Sequence, residues 1–234
     1  MPGFAKLYYL AVVWLFVWWA GNNKFSKLDR PNRPNLISAM AQCRAAWMRQ
    51  MLKRDNQIVD IQIVWSLGRS ASFFASTSIL VLAGLIAILG ATERSIEFAR
   101  SIPISPPVSL EFWEVKMLSL IFVFVYAFFK FGSAMRQLHY CLIMIGAVAG
   151  PEDLTDAERK RAENASRVAS IASAPTSRGI RSYYFGLALL AWHIHPFALM
   201  GSTVFVVGVL YRREFHSRTL KLIMLDNSTD RSEI

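Results

Sequence analysis

A hydroxyl-rich stretch at the start of an uncharged apolar segment is the part of the chain whose residue types suggest chemistry. The sequence SASFFASTS opens residues 70–91, which carry no charge and at about 1.5 Å per residue can cross a bilayer core of about 30 Å. Hydroxyls at bilayer depth with basic residues at one end would favour passage of small anions. The candidate pathway residues are Ser70, Ser72, Ser76, Thr77, Arg54 and Arg69.

The same residues have a second interpretation as a helix-packing surface. Ser72 and Ser76, like Ala71 and Ala75, are four residues apart, which places small side chains one turn from each other. Such spacing allows two membrane helices to approach closely, and a helical serine can also bond to the carbonyl four residues earlier. Both interpretations, pathway and packing, stay open at this point, packing being the commoner use of this spacing.

A second set of polar residues is predicted to form a cytoplasmic network that ties long helices together. Acidic and amide side chains just before the apolar segment can pair with nearby basic ones. The candidate members are Arg44, Arg49, Asp55, Asp60, Gln62 and Arg136. Lys116 and Lys130 lie near the predicted membrane surfaces, where we expect their charged ends to reach the interface by snorkelling.

The histidine and cysteine positions do not predict a metal site. His193 and His195 could converge only in a turn, and no carboxylate or cysteine lies beside them, so we interpret them as interfacial aromatic residues. Haem ligation would need histidines at similar depth, whereas His139 falls on the opposite side. Cys43 and Cys141 fall on the reducing side and are expected to be free thiols. We therefore expect no metal and no cofactor.

Catalytic and nucleic-acid-binding signatures are absent from the sequence. It contains no GxSxG, GxxxxGK[ST], HExxH or CxxC pattern, so we expect no enzyme activity. The net charge of +10 comes from basic residues that cluster beside apolar segments. That distribution is typical of membrane proteins, and no RNP or zinc-finger pattern accompanies it, so we expect no nucleic-acid partner.

The elements that position these residues are predicted to be membrane helices. Hydrophobic residues make up 54% of the chain and charged residues 18%. Apolar regions at residues 7–21, 70–91, 112–130 and 182–211 predict an all-α, polytopic helical membrane protein with four to five transmembrane helices. The last region contains Pro196 and crosses either once as a kinked helix or twice as a short hairpin. The hairpin is favoured because it keeps both basic flanks on one side.

Charge asymmetry between the loops predicts the orientation. The segment from residue 21 to residue 69 is rich in Lys and Arg, whereas residues 92–111 contain only two Arg against three Glu. The positive-inside rule then places the first segment in the cytoplasm and the N-terminus outside. The predicted location is the bacterial inner membrane, with several crossings.

Outside the spans, long cytoplasmic helical extensions are predicted at residues 35–57, 131–147 and 155–173. The first is amphipathic and basic, which suits either an anionic leaflet or, more commonly, a partner helix. The region 131–147 continues the third span as one long helix, and residues 173–179 are predicted to be a linker. We treat residues 1–225 as a single membrane domain and residues 226–234 as a frayed tail.

Several blocks of the sequence resemble a known family of bacterial inner-membrane proteins. The blocks are NRPNLISAMAQCRAAWMRQMLKRDNQIVDIQI, SASFFASTSILVLAG, YAFFKFGSAMRQLHYC, RSYYFGLALLAWHIHPFALM and YRREF. The family is catalogued as domain of unknown function 599, and the resemblance extends over roughly residues 7–217. It implies the helical membrane fold and the location, and it supplies no catalytic residues.

Two function classes follow from the sequence. One is a homo-oligomeric channel or transporter for small ions or solutes, since so few helices enclose little space by themselves. The other is a non-catalytic structural or accessory subunit of a larger membrane complex. The expected partners are the lipid bilayer and either further copies of the chain or other membrane subunits.

Overall fold

The structure, a computed structural model, describes residues 2–25, 36–100, 109–148 and 155–224, and all regular elements in these ranges are helices. The predicted all-α class is therefore confirmed. The predicted tail at 226–234 lies outside the described residues, and residues 218–224 are helical. The helices are α1 (Pro2–Phe25), α2 (Leu36–Met51), α3 (Ile58–Gly90), α4 (Thr92–Arg100), α5 (Leu110–Gly146), α6 (Asp156–Leu190) and α7 (Pro196–Phe215).

Helix α3 begins well before the uncharged segment. The side-chain oxygen of Asn56 accepts the backbone N–H of Ile58 at 2.9 Å, which caps the first turn. From there the helix runs for 33 residues to Gly90, about 50 Å. Helix α5 is likewise a single helix of 37 residues, in agreement with the predicted extension of the third span. Neither helix contains a proline, so nothing interrupts its hydrogen-bond ladder.

Helix α6 differs from the sequence prediction. Residues 173–179, predicted to be a linker, are helical, and Pro175 lies inside the helix. The hydroxyls of Ser173 and Thr176 donate to the carbonyls of Ser170 and Ala172 at 2.7 and 3.0 Å, which supplies polar partners around the proline. Ala172 is buried, so tertiary packing on this side of α6 outweighs the local helix-breaking tendency.

A short helical hairpin connects α6 and α7. A turn of 3₁₀ helix at Ala191–His193 follows α6, and α7 begins at Pro196. Proline suits the first position of a helix, because a backbone N–H there would have no partner within the helix. Ser202 of α7 donates to the carbonyl of Ala188 of α6 at 3.2 Å, so the two helices lie side by side and antiparallel. The structure therefore contains the hairpin form of residues 182–211 and not one kinked helix.

The chain divides into two compact units. The first unit comprises residues 1–28, 76–129 and 178–211. Its core is built from large side chains, including Leu15, Trp19, Leu120, Phe185, Leu189 and Trp192. Gly186 allows α6 to approach α5 closely, because a Cβ there would lie 3.1 Å from the ring of Phe124.

The second unit comprises residues 29–75, 130–177 and 212–234. Its core combines flexible side chains of α2 with small residues of α6. Alanines at three- and four-residue spacing form the buried face of α6, and they are Ala162, Ala165, Ala169 and Ala172. Met48, Met51, Leu138 and Ile145 fill the space that these small residues leave.

Two of the described helices, α3 and α5, are long and apolar enough to cross a membrane. A shorter apolar stretch covers Tyr9–Gly21 in α1. Only 17% of the most apolar window of α3 is buried inside the protein, against 39% of that of α5. The larger part of the α3 surface is therefore both apolar and exposed.

Candidate functional site

The hydroxyl groups of α3 have different surroundings. Ser70 is exposed and its hydroxyl donates to the carbonyl of Ser66 at 3.1 Å, within its own helix. Ser76 is exposed. Ser78 is fully buried, and its hydroxyl shares a hydrogen bond of 2.9 Å with that of Tyr183. The packing face of α3 is thus defined by Ser78 and by buried small residues such as Ala71, while Ser76 points away from it.

A cavity of about 240 Å³ lies between α3 and α5 in the second unit; we call it the α3–α5 cavity. Its polar lining consists of Arg69, Ser72 and His139. Its apolar walls are Val64, Trp65, Met135, Leu138 and Leu142, with Gly68 between them. The Arg69 guanidinium carbon lies 5.0 Å from the centre of the Trp65 ring, a cation–π contact that orients the charge. Two predicted pathway residues, Arg69 and Ser72, are therefore brought together here.

Arg54, the other predicted basic residue of the pathway, belongs to a different contact. The carboxylate of Asp60 is fully buried, and its Oδ1 accepts from Arg54 Nη1 and from Trp47 Nε1, each at 2.6 Å. Its Oδ2 is buried without a hydrogen-bond partner among the described residues. This arrangement joins the end of α2 to the first turn of α3. Arg54 is therefore engaged by a carboxylate.

The predicted cytoplasmic network is only partly assembled by the residues proposed for it. Arg44 donates to the hydroxyls of Ser170 and Ser173 at 3.1 and 3.5 Å, and burial lowers the pKa of its guanidinium. Asp60 pairs with Arg54, not with Arg44, Arg49 or Arg136. The remaining predicted members are exposed, and they are Arg49, Asp55, Gln62 and Arg136.

A second, larger concavity of about 510 Å³ lies between α2 and α6; we call it the α2–α6 groove. Charged side chains line it from α2, from the turn that follows α2 and from α6, and they are Arg49, Lys53, Arg159 and Glu163. Ala45, Met48, Leu52, Ala162 and Ser166 complete the lining. This groove was not predicted from the sequence, although Arg159 and Glu163 fall one turn apart on a predicted helix. Which helix faces α6 could not be read from that spacing.

Lys116 of the first unit lies in an unexpected environment. Its residue exposure is only 1%, so its charge does not reach the surface as the snorkelling interpretation requires. The ammonium group lies 5.7 Å from the centre of the Trp192 ring, a cation–π contact made by the turn after α6. Close by in sequence, Trp113 meets His193 edge to face, with ring centres 5.5 Å apart. Tertiary packing of the hairpin turn on α5 therefore encloses this charge.

The two histidines of the hairpin turn have separate roles. His193 is half-buried against Trp113, whereas His195 Nδ1 accepts the backbone N–H of Phe197 at 3.2 Å and its ring stacks on that of Phe197. Within the described residues, no group of three or more potential metal ligands occurs.

Both cysteines are free thiols in the structure, as predicted. Cys141 is fully buried, and its Sγ donates to the carbonyl of Ala165 at 3.6 Å. Burial raises the pKa of this thiol to about 11. Cys43 is half-buried.

The fold and the two concavities define an all-helical protein with apolar exposed helices and a basic second unit. A family model described as "Protein of unknown function, DUF599" matches residues 10–219, and the chain belongs to this family. The resemblance stated from the sequence blocks is thereby confirmed. Comparison with curated proteins and with solved structures gave no match.

Proposed function

We propose that the chain is an integral inner-membrane protein whose first unit is embedded in lipid. The observation that carries this proposal is the surface of α3, whose most apolar window is only 17% buried. The core helix of a soluble protein buries its apolar side chains, because each large one exposed to water forgoes about 1.5–3 kcal/mol. In lipid this free-energy cost does not arise, so apolar side chains on the protein surface are favourable there.

Exposed apolar side chains occur on the other long helices of the first unit as well. They include Val13 and Val17 of α1, Phe122 of α5, Leu187 of α6 and Phe205 of α7. A large apolar surface contributed by several helices is typical of contact with lipid or with another protein. It supports crossings by α1, α3, α5 and the two arms of the α6–α7 hairpin.

The proposed orientation places the N-terminus outside and the loop between α2 and α3 in the cytoplasm. Single cysteines would be introduced at Asn56 and at Glu97 in a chain lacking Cys43 and Cys141. A membrane-impermeant maleimide applied to intact cells should label position 97 and spare position 56. Labelling of position 56 before permeabilisation would contradict this orientation.

We further propose that copies of the chain assemble into a pathway for small anions that is entered through the α3–α5 cavity. The support is that Arg69, Ser72 and His139 line one cavity, so a basic group and a hydroxyl are available at the same place. Ser76, further along α3, is exposed and faces away from its own chain, which suits a pathway shared between copies.

The test is flux through liposomes that contain the purified protein. Chloride or another small anion should exchange, and Arg69→Glu should shift the preference towards cations because it reverses the charge at the cavity. Arg136→Glu changes the net charge equally at an exposed position outside the cavity lining and should leave selectivity unchanged. Absence of flux from folded, correctly assembled protein would contradict the pathway proposal.

A second candidate, a non-catalytic accessory subunit, is favoured by a different observation. The hydroxyls of Ser70 and Ser78 are already bonded within the chain, and much of the exposed side of α3 is apolar, as at Ile79 and Leu80. This surface would suit another membrane subunit. The candidate predicts silent liposomes and a partner that co-purifies in fixed stoichiometry after mild solubilisation.

A further inference from the structure

We propose that the α2–α6 groove binds an organic phosphate, with the phosphoryl group held by Arg49, Lys53 and Arg159. The proposal is independent of transport through α3, because it concerns only residues of α2, of the turn that follows it and of α6. It is drawn from the volume of the groove, from the charge of its lining and from the lack of an ion pair at its three basic residues within the described part of the chain.

The volume and the lining suit a small organic molecule. About 510 Å³ lies within the range of about 300–1,000 Å³ that is typical of small-molecule sites. The buried side chains of Met48, Leu52 and Ala162 contribute apolar surface to the lining, and Ser166 contributes a largely buried hydroxyl. An inorganic phosphate would leave most of this space and its apolar surface unused. The lining therefore fits a ligand with both an anionic group and an apolar body.

The charge of the groove favours an anion. Three basic side chains line it together with one carboxylate, that of Glu163. Glu163 Oε1 lies 2.7 Å from Arg167 Nη2, and Arg167 is not part of the lining, so the negative charge is compensated from outside the groove. A concave surface with an excess of positive charge concentrates anions. The planar guanidinium groups of Arg49 and Arg159 match the oxygens of a phosphoryl group.

Several basic residues near the groove form ion pairs, whereas the three that line it form none with any residue that the structure describes. Arg54, Arg161 and Arg167, which lie close in sequence to the groove residues, each contact a carboxylate: Asp60, Glu158 and Glu163 respectively. In the part of the chain that the structure describes, no acidic side chain lies within ion-pair distance of Arg49, Lys53 or Arg159. The three basic residues of the groove are thus not neutralised by an ion pair within the described part of the chain.

Two sources could supply this chemistry, a soluble organic phosphate or the headgroup of an anionic phospholipid. The first arm of the experiment measures polarisation of a fluorescent ATP analogue with the full-length protein in neutral detergent. The second measures retention of phosphatidylglycerol by native mass spectrometry after extraction from bilayers of phosphatidylcholine containing a minor fraction of phosphatidylglycerol. Saturable binding in the first arm identifies a soluble ligand, and selective retention in the second alone identifies the lipid.

Variants then test whether the groove is the site. Combining Arg49→Gln with Arg159→Gln should weaken binding by roughly tenfold or more, since charge-assisted hydrogen bonds to the anion are lost. The control Lys160→Gln removes one positive charge beside Arg159, at an exposed position outside the lining, and should leave affinity within about twofold. Arg159→Gln alone provides the one-charge match to that control and should weaken binding more than Lys160→Gln does.

Both substituted arginines are exposed, so thermal unfolding of the double variant should match that of the wild type. Binding by the two proteins can then be compared with both equally folded. Binding should also weaken as ionic strength rises. The proposal is overturned if neither arm shows saturable or selective binding. It is equally overturned if Lys160→Gln lowers affinity as much as Arg159→Gln, because binding would then follow net charge and not the groove.

Discussion

The two compact units of the chain differ in the side chains that fill their cores. The core of the first unit contains Trp19, Trp113, Trp192 and Phe185, whereas α6 contributes mainly alanines to the core of the second. Large aromatic residues fill much of the space between the helices of the first unit. Small residues let helices approach, and flexible methionines fill what remains. One chain thus uses two ways of packing helices against each other.

The exposed surfaces of the two units differ in a parallel way. In the first unit, exposed side chains on several helices are apolar, such as Leu80 and Phe205. In the second unit, exposed apolar residues of α3 such as Trp65 occur together with the charged faces of α2 and α6. The difference supports the proposal that the first unit is embedded in lipid, because its exposed surface is the more apolar and the second unit carries more polar and basic groups.

The largest expected effect is truncation of a large core residue in the first unit. Phe185 is fully buried, so Phe185→Ala should lower the free energy of unfolding by about 3–5 kcal/mol through lost contacts and a cavity. Chemical unfolding in detergent measures this change. Phe205→Ala, at a position 72% exposed, is the matched control and should change stability by less than about 1 kcal/mol. Equal losses in both variants would contradict the assignment of the core.

The reverse substitution tests the second unit. Ala165 is fully buried on α6, and Ala165→Leu should cost about 1–3 kcal/mol because the closely packed helices must separate. Ala157→Leu makes the same change at an exposed position of α6 and should be nearly neutral. A neutral Ala165→Leu variant would show that the alanine face has room, and the contrast between the two cores would be lost.

A smaller effect is expected at the close approach of α6 to α5 in the first unit. The Cβ added in Gly186→Ala would lie 3.1 Å from the Phe124 ring, so we expect a loss of about 1 kcal/mol. Gly208→Ala adds a Cβ with nothing within 4 Å and should stabilise α7 by about 0.5–1 kcal/mol. Thermal unfolding of the two variants should therefore shift in opposite directions.

The smallest effect at neutral pH concerns the thiol of Cys141 in the second unit. Burial raises the pKa of this thiol from an ordinary value of 9.0 to about 11, so its neutral form is favoured in the folded state. This contribution to stability is complete below about pH 9 and is lost as the pH rises through about 11. Cys141→Ala should remove that part of the decline. At pH 8, thiol reagents should modify Cys43 well before Cys141, and equal rates would contradict the burial.

Local patterns in the sequence predicted a large part of the fold. The apolar run through α5 has no breaker and forms one helix, and Pro196 with its neighbours marks the hairpin turn. Pro175 shows the limit of such reasoning. It predicts a break, yet it lies inside α6, where buried alanines pack against the rest of the second unit. Local propensity is worth a few kcal/mol at most, and tertiary packing can exceed it.

The candidate sites were less accessible to prediction for the same reason. Arg69 and Ser72 were selected from the sequence and line one cavity, but the contribution of His139 depends on how α5 lies against α3. That Arg159 and Arg49 line one groove follows from the packing of two helices distant in sequence. Asp60 takes Arg54, six residues earlier, because the turn between α2 and α3 brings the two side chains together. Charge and spacing on one helix do not contain that information.

The most direct test of the account is the environment of Leu80, which is 73% exposed on α3. A spin label at this position in protein reconstituted into bilayers would be relaxed by oxygen, which partitions into lipid, and by a water-soluble nickel chelate, which does not. We predict high accessibility to oxygen and low accessibility to nickel at Leu80, with the opposite order at Asn56. Accessibility to nickel at Leu80 equal to that at Asn56 would contradict a lipid-embedded first unit.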